Sequence, residues 1–260
     1  MTLRLELETV LQTVAHEEIM PRFRRVAATR KPDGSFLTEA DLAAQRALQG
    51  LLPTVVDCPV LGEEMERAEQ ERLWRQHPDA LWVVDPIDGT TNFAHGLPFF
   101  SVSAALLRDG RVVLGATLLP VLGECYAATL GGGAFLNGQP LQAASSAAEL
   151  SAAVAAVEMK RLSAPLAARI AAGQPFHSLR NVGAGTLDWC WLAAGRFDLV
   201  LHGGQKLWDY AAGALIAREA GCVVGGIDAD FEAQPVWQRS VLAARDATLF
   251  APWQAWVKRD

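Results

Sequence analysis

Asp85 and Asp88 stand three residues apart in the stretch Trp82-Val83-Val84-Asp85-Pro86-Ile87-Asp88-Gly89-Thr90, directly after an apolar run. Like charges this close repel, and each carboxylate prefers water, so something positive is expected between them. Other acids also fall at element ends: Asp41 after Thr38, Glu63 and Glu64 after Val60-Leu61-Gly62, and Asp209 after Trp208. Such ends gather a site when they meet on one side of a sheet. A carboxylate cluster without lysine or arginine neighbours needs a hard cation, and Mg²⁺ takes oxygen ligands readily. Pro86 stiffens the turn between the two aspartates, letting both side chains converge while the Ile87 carbonyl points inward. Gly89 and Thr90 would then open a helix or turn whose free N–H groups bind an anion such as phosphate. Metal beside such an anion site implies metal-assisted phosphate chemistry. Each piece alone has an ordinary reading. Asp-Pro-x-Asp-Gly is a turn sequence, Glu63-Glu64 a solvated loop, Asp209 a helix N-cap, and His95 and His202 surface or satisfied histidines. An EF-hand is excluded, because its loop needs acids at alternate positions and a later glutamate.

The chain around these residues is globular in composition. It has 260 residues, 51% apolar and 20% charged, with a formal net charge of −6. That length supports one large or two modest domains. The acidic balance offers no overall field to attract nucleic acid, so no direct nucleic-acid partner is expected. One basic cluster, Arg22, Arg24, Arg25, Arg30 and Lys31, reads as a solvated helix end or a phosphate-facing patch. Cys58, Cys125, Cys190 and Cys222 are far apart and lack zinc spacing. Buried, reduced thiols in a cytoplasmic protein are expected. Glu6 and Glu8 stand where a signal peptide needs an apolar stretch, and no apolar run is long enough for a membrane span.

The elements that must position the acids follow from periodicity. Apolar residues at helical spacing open the chain over 3–28, Lys31-Pro32-Asp33-Gly34-Ser35 is a turn, and Thr38 caps a helix to about Leu52. Pro59-Val60-Leu61 is a short strand, and a polar helix-like stretch covers 65–78. Leu81–Val84 is a buried strand too short for a helix. Strands at 100–107, 112–119 and 124–129 with turns between them read as an antiparallel meander, followed by a tight turn at Asn137-Gly138. The Ala- and Ser-rich stretch 142–153 reads as a boundary, giving an N-terminal α+β domain over 1–141 with most metal ligands and a C-terminal α/β domain over 142–260 that completes the site. Beyond it, helices near 163–172, 185–194 and 209–220 alternate with strands near 177–181, 198–201 and 222–224.

In combination, Gly62-Glu63-Glu64, Trp82 through Phe93, and Trp208-Asp209-Tyr210-Ala211-Ala212-Gly213 resemble the inositol monophosphatase family, in the same order and at similar separations. Lys31-Pro32-Asp33-Gly34-Ser35 with Thr38-Glu39-Ala40-Asp41 is similar to the family's N-terminal segment, and the likeness runs from about residue 10 to 245. It implies an α/β fold, a layered αβαβα sandwich with an antiparallel sheet in the first half and a mixed, more parallel one in the second. It also implies Mg²⁺-dependent hydrolysis of a small phosphomonoester. By position, Glu63, Asp85 and the Ile87 carbonyl would hold one metal, and Asp85, Asp88 and Asp209 a second. Glu63 and Thr90 would orient the attacking water, and the Gly89 and Thr90 N–H groups would hold phosphate oxygens, with no covalent enzyme intermediate. Asp41 matches a carboxylate near the metals, and Glu64 supports the ligands from outside. The loop Gly183-Ala184-Gly185 would meet substrate hydroxyls. His202 falls where a family glutamate holds inositol hydroxyls, which weakens the case for myo-inositol 1-phosphate and leaves histidinol phosphate and other sugar or nucleotide phosphates as alternatives. The resemblance further implies inhibition by Li⁺ or excess Mg²⁺, and a homodimer. Two rivals are weighed. The haloacid-dehalogenase motif Asp-x-Asp-Gly-Thr is one residue shorter than the spacing here, and some bacterial relatives serve the transcription machinery as binding partners.

Overall fold

The computed structural model describes residues 2–26, 28–31, 34, 36–143 and 149–259. Pro32, Asp33 and Ser35 of the expected turn, and 144–148 of the expected boundary, lie outside the described residues. The N-terminal helix α1, Leu3–Val14, continues as a π-helical turn over Ala15–Ile19 and a short 3₁₀ turn ending at Arg22. It therefore stops earlier than its periodicity predicts, just after Pro21. Strands β1 (Ala28–Arg30) and β2 (Phe36–Thr38) form a small hairpin that lacked a sequence signal. Helix α2, Glu39–Val55, starts at Thr38 in a capping box: Thr38 Oγ1 accepts from Ala40 N–H at 3.2 Å, and Thr38 N–H donates to Asp41 at 2.7 Å.

The remaining elements in chain order are β3 (Val60–Gly62), α3 (Arg67–Gln76), β4 (Leu81–Asp88), α4 (Thr90–Ala94), β5 (Ser101–Arg108), β6 (Arg111–Leu119), β7 (Glu124–Thr129), β8 (Gly133–Leu136), β9 (Gln139–Leu141), β10 (Val154–Glu158), α5 (Ala164–Ala172), β11 (Ser178–Arg180), α6 (Gly185–Ala193), β12 (Leu199–Lys206), α7 (Leu207–Glu219), β13 (Val223–Gly225), β14 (Gln238–Ala244) and α8 (Ala247–Val257). β3 to β9 make one seven-stranded sheet in sequence order, antiparallel except for the parallel β3–β4 pair. The second sheet has the order β11-β10-β12-β14-β13 and is mixed: β10 is parallel to both its neighbours, and β14 is antiparallel to both of its own.

Period-two burial sorts these strands into layers. Trp82, Val84, Val102 and Ala104 face α1 and α2, whereas Leu81, Val83 and Ala105 face the opposite way into the core around α6 and α7. That central core also takes Ala156, Val200 and Ala243 from the inner face of the second sheet, and Ala155, Leu199 and Leu201 point outward to α5 and α8. The result is the expected αβαβα sandwich. α7 buries residues on every side, from Leu207 and Trp208 through Ala217, as a helix between two sheets must.

Candidate functional site

β4 carries the first acids, and it corrects the sequence reading. The strand does not end at Val84 but runs on to Asp88, with its register to β5 shifting between Asp85 and Asp88. Such a bulge re-aims side chains without ending the strand, so both aspartates project from one bent strand end. The chain then turns at Gly89, whose φ of +87° suits glycine and whose missing Cβ would stand 2.8 Å from the Phe99 carbonyl. α4 follows, and Asn92 ties it down by donating to Phe99 O and Val182 O, both at 2.7 Å.

Asp85 is 1% exposed, and its Oδ1 is buried without a hydrogen-bond partner among the described residues. Burial, together with the charges of Glu63, Asp88, Asp209 and Glu64, pushes its pKa well above the usual carboxylate range. Asp88 is raised to about 6, chiefly by burial. Its Oδ2 accepts from both Thr186 N–H and Thr186 Oγ1 at 2.7 Å, which anchors the start of α6 against β4. Burial, then Asp88 and Glu63, raises Asp209 as well. The structure thus draws together carboxylates from β4, the end of β3 and the start of α7.

Asp209 is not the N-cap of α7. Lys206 takes that place, and the Asp209 carboxylate one turn in accepts Lys206 N–H at 2.9 Å. Leu207 and Trp208, read as preceding the helix, form its first turn. Asp41, fully buried, closes the α2 capping box and faces Thr90: Thr90 Oγ1 lies 3.2 Å from Asp41 Oδ1 and 3.0 Å from the Ile87 carbonyl. One hydroxyl proton is shared between two acceptors, which fixes Thr90 beside Ile87.

The expectation of a carboxylate cluster free of lysine is overturned. Lys31 Nζ lies 3.1 Å from Glu63 Oε1 and 2.6 Å from Glu64 Oε1. The β1–β2 hairpin brings it there from more than thirty positions away. Burial works against the Lys31 charge, but the two glutamates outweigh it and raise its pKa. Glu64 rises to about 7, first from burial and then from Glu63, despite Lys31. Among the described residues no three acids, histidines or cysteines already form a cation cage. Glu63, Asp88 and Asp209 are instead held by Lys31, Thr186 and Lys206. The donor set nonetheless fits a hard cation: carboxylates and a peptide carbonyl, an orphaned Asp85 oxygen, and no sulfur.

The segment Gly183-Ala184-Gly185 leads into α6, with Ala184 as its N-cap and Gly185 its first residue, and Gly183, at φ +74°, lies next to Asn92 of α4. His202, on β12, is half-buried, and its Nδ1 accepts from Gly204 N–H at 3.0 Å. Burial, with Arg161 and Lys160 nearby, lowers its pKa to about 3, so it is neutral at ordinary pH rather than charged. Sequence reasoning missed Lys31, Thr186 and Asp188. Asp188 is buried in α6, its Oδ1 without a hydrogen-bond partner among the described residues, and burial followed by Asp88 and Glu158 raises its pKa. Its signal is one acid between Leu187 and Trp189.

The comparisons agree with this frame. The chain is 36% identical over 213 residues to an inositol-1-monophosphatase of Mesorhizobium japonicum, covering 76% of this chain and 74% of the relative. It is 36% identical over 218 residues to a Nus factor SuhB of Pseudomonas aeruginosa, covering 79% and 76%. Among solved structures, a Thermotoga maritima IMPase superposes with a TM-score of 0.82 at 30% identity, covering 98% of this chain and 96% of that one. The family model for the inositol monophosphatase family matches residues 3–255. The chain belongs to the inositol monophosphatase family.

Proposed function

We propose that the protein is a Mg²⁺-dependent phosphomonoesterase acting on small phosphate esters, of the inositol monophosphate kind or another sugar or nucleotide phosphate. The observation that carries this reading is the convergence of Glu63, Asp85, Asp88 and Asp209 around a buried, unpartnered Asp85 oxygen. Glu63, Asp85, the Ile87 carbonyl, Asp88 and Asp209 would hold Mg²⁺, which when bound polarises the phosphoryl group and neutralises its charge. Thr90, pinned by Ile87 and Asp41, and Glu63, placed by Lys31, would orient the attacking water. Gly89 and Thr90 N–H groups would hold phosphate oxygens, with Gly183, Ala184, Gly185, His202 and Asp209 toward the rest of the substrate. Homodimerisation, expected from the resemblance, and a cytoplasmic location, expected from the four spaced cysteines, belong to the same proposal.

The relative named Nus factor SuhB favours one second reading, a binding role with transcription machinery. The two separate in Asp85→Asn. With a panel of sugar, nucleotide and amino-alcohol phosphates, we expect hydrolysis that EDTA abolishes and Mg²⁺ restores. Asp85→Asn should lower kcat/KM by more than ~100-fold, beyond the loss typical of residues that only support metal ligands. Hydrolysis indifferent to EDTA and to Asp85→Asn would sink the reading.

A further inference from the structure

Leu207, Tyr210, Ala211, Ala214 and Leu215 recur every three or four residues along α7 and so share one face of the helix. Alanine at the centre of that stripe leaves room that a larger side chain would fill. β5 and β6 bring Leu107 and Val112 to one side of it, and the segment 226–237 between β13 and β14 brings Phe231 to the other. Between them lies a cavity of about 450 Å³, within the size range of small-molecule sites. Its shape is held in advance. The Tyr210 hydroxyl donates to Val236 O at 2.6 Å, and the Phe231 ring packs edge-on to Tyr210 with centroids 5.3 Å apart. None of Glu63, Asp85, Asp88 and Asp209 lines this cavity.

The charged groups along its walls do not balance. Arg111, Arg218 and Arg239 stand against Glu219 and Glu232. Glu219 spends its carboxylate on the N–H groups of Gly131 and Gly133, each at 2.8 Å. Glu232 is shared, Oε1 with Arg218 at 2.5 Å and Oε2 with Arg239 at 2.7 Å. Arg239 is largely buried, with its guanidinium 4.9 Å from the centre of the Phe231 ring and its Nε without a hydrogen-bond partner among the described residues. A buried donor left unmade is costly. Arg111, exposed at the start of β6, enters no ion pair among the described residues.

We propose that this cavity is a binding site for an apolar monoanion, a small molecule whose apolar body lies along α7 and whose one anionic group pairs with Arg111. A guanidinium without an internal partner presents a planar fork that matches the oxygens of such a group, and the lining carries a further unused donor in Arg239. An uncharged ligand leaves both unmet. A sugar phosphate would bring several strongly hydrated groups against apolar walls that cannot pair them. The site is therefore distinct from the acidic one in place and in chemistry, and it stands whatever the acidic site hydrolyses.

Two dyes test the site, anilinonaphthalene sulfonate and N-phenylnaphthylamine, which share one apolar body and differ in the sulfonate. In fluorescence titrations of the whole protein, the sulfonate should bind at a single site and at least about tenfold tighter than the neutral dye, as one charge-assisted contact supplies. Saturating Mg²⁺ with inorganic phosphate should leave it bound. Arg111→Glu, at the exposed rim, should weaken the sulfonate by about tenfold and leave the neutral dye unchanged. Ala214→Phe, which fills the middle of the cavity, should weaken both. Because that variant strains a packed helix, hydrogen exchange on the parent protein gives an independent reading: the sulfonate should slow exchange in segment 226–237 and in the turn between β5 and β6. Equal affinity for the two dyes, an Arg111→Glu effect that is absent or equal on both, displacement by phosphate with Mg²⁺, or protection confined to other segments would overturn the site.

Discussion

Asp88 differs from Asp85 in having firm protein partners. Thr186 gives its Oδ2 both a backbone N–H and a hydroxyl at 2.7 Å, which stabilises one orientation of the ionised carboxylate while burial opposes ionisation. A residue that fixes a ligand in this way controls affinity without touching the ion. Thr186→Val keeps the shape and the N–H but removes the hydroxyl. We expect the Mg²⁺ concentration for half-maximal activity to rise by about 10- to 100-fold, with the fold intact by circular dichroism. An unchanged Mg²⁺ requirement would mean that Thr186 only joins α6 to β4. Asp85, Asp88, Glu63 and Asp209 were legible as candidates because acids following apolar runs are unusual. Thr186 was not, because a threonine near a helix start reads as an ordinary cap. Lys31 was not, because nothing local to it announces a pairing with Glu63 and Glu64.

At the scale of elements, the site is a strand end, a helix start and two loops locked together. The β4 bulge aims Asp85 and Asp88, Gly89 turns the chain, and Asn92 fastens α4 to the loops at Phe99 and Val182. Gly89 is the tightest joint, combining φ +87° with a Phe99 carbonyl 2.8 Å from any added Cβ. Gly89→Ala should therefore cost about 1–3 kcal/mol of stability for the backbone conformation alone. Hydrolysis should fall too, since Asp88 and Thr90 flank the joint. Chemical denaturation and steady-state kinetics check the two halves, and a variant as stable and active as the parent would refute the argument. The meander, the cap at Thr38 and the helix preceding Gly221 could be read from alternation and turn chemistry. The continuation of β4 through Asp85-Pro86-Ile87-Asp88 could not, because proline and paired aspartates look like a turn until a neighbouring strand accepts the bulge. The β1–β2 hairpin, three residues a side, is too short to leave a period.

Across the whole molecule, the layers place α7 between two sheets and so bring Asp209, far along the chain, to the end of β4. That closeness has a cost visible in titration. Asp88 rises to about 6 and Glu64 to about 7, each mainly through burial, and Asp85 and Asp209 rise by burial and mutual repulsion. The unfolded values lie near 4, so the folded protein binds more protons than the unfolded chain between about pH 4 and 7. Stability from these groups is therefore full below pH ~4 and is lost as pH rises through their folded pKa values. A divalent cation bound to the ionised acids offsets that loss, and protons compete with it on the acid side. The gain in melting temperature on replacing EDTA with Mg²⁺ should accordingly be larger at pH 8 than at pH 5.5. At a hundredfold excess over Kd the stabilisation is about 2.7 kcal/mol, or roughly 5–10 °C for a chain of this size. Reading the difference between Mg²⁺ and EDTA at each pH removes the titration of groups remote from the site. A gain equal at both pH values, or larger at pH 5.5, would show that these carboxylates do not hold the cation. Asp85→Asn, which removes the deepest of the four charges, should raise the melting temperature in EDTA at pH 8 and abolish most of the Mg²⁺ response.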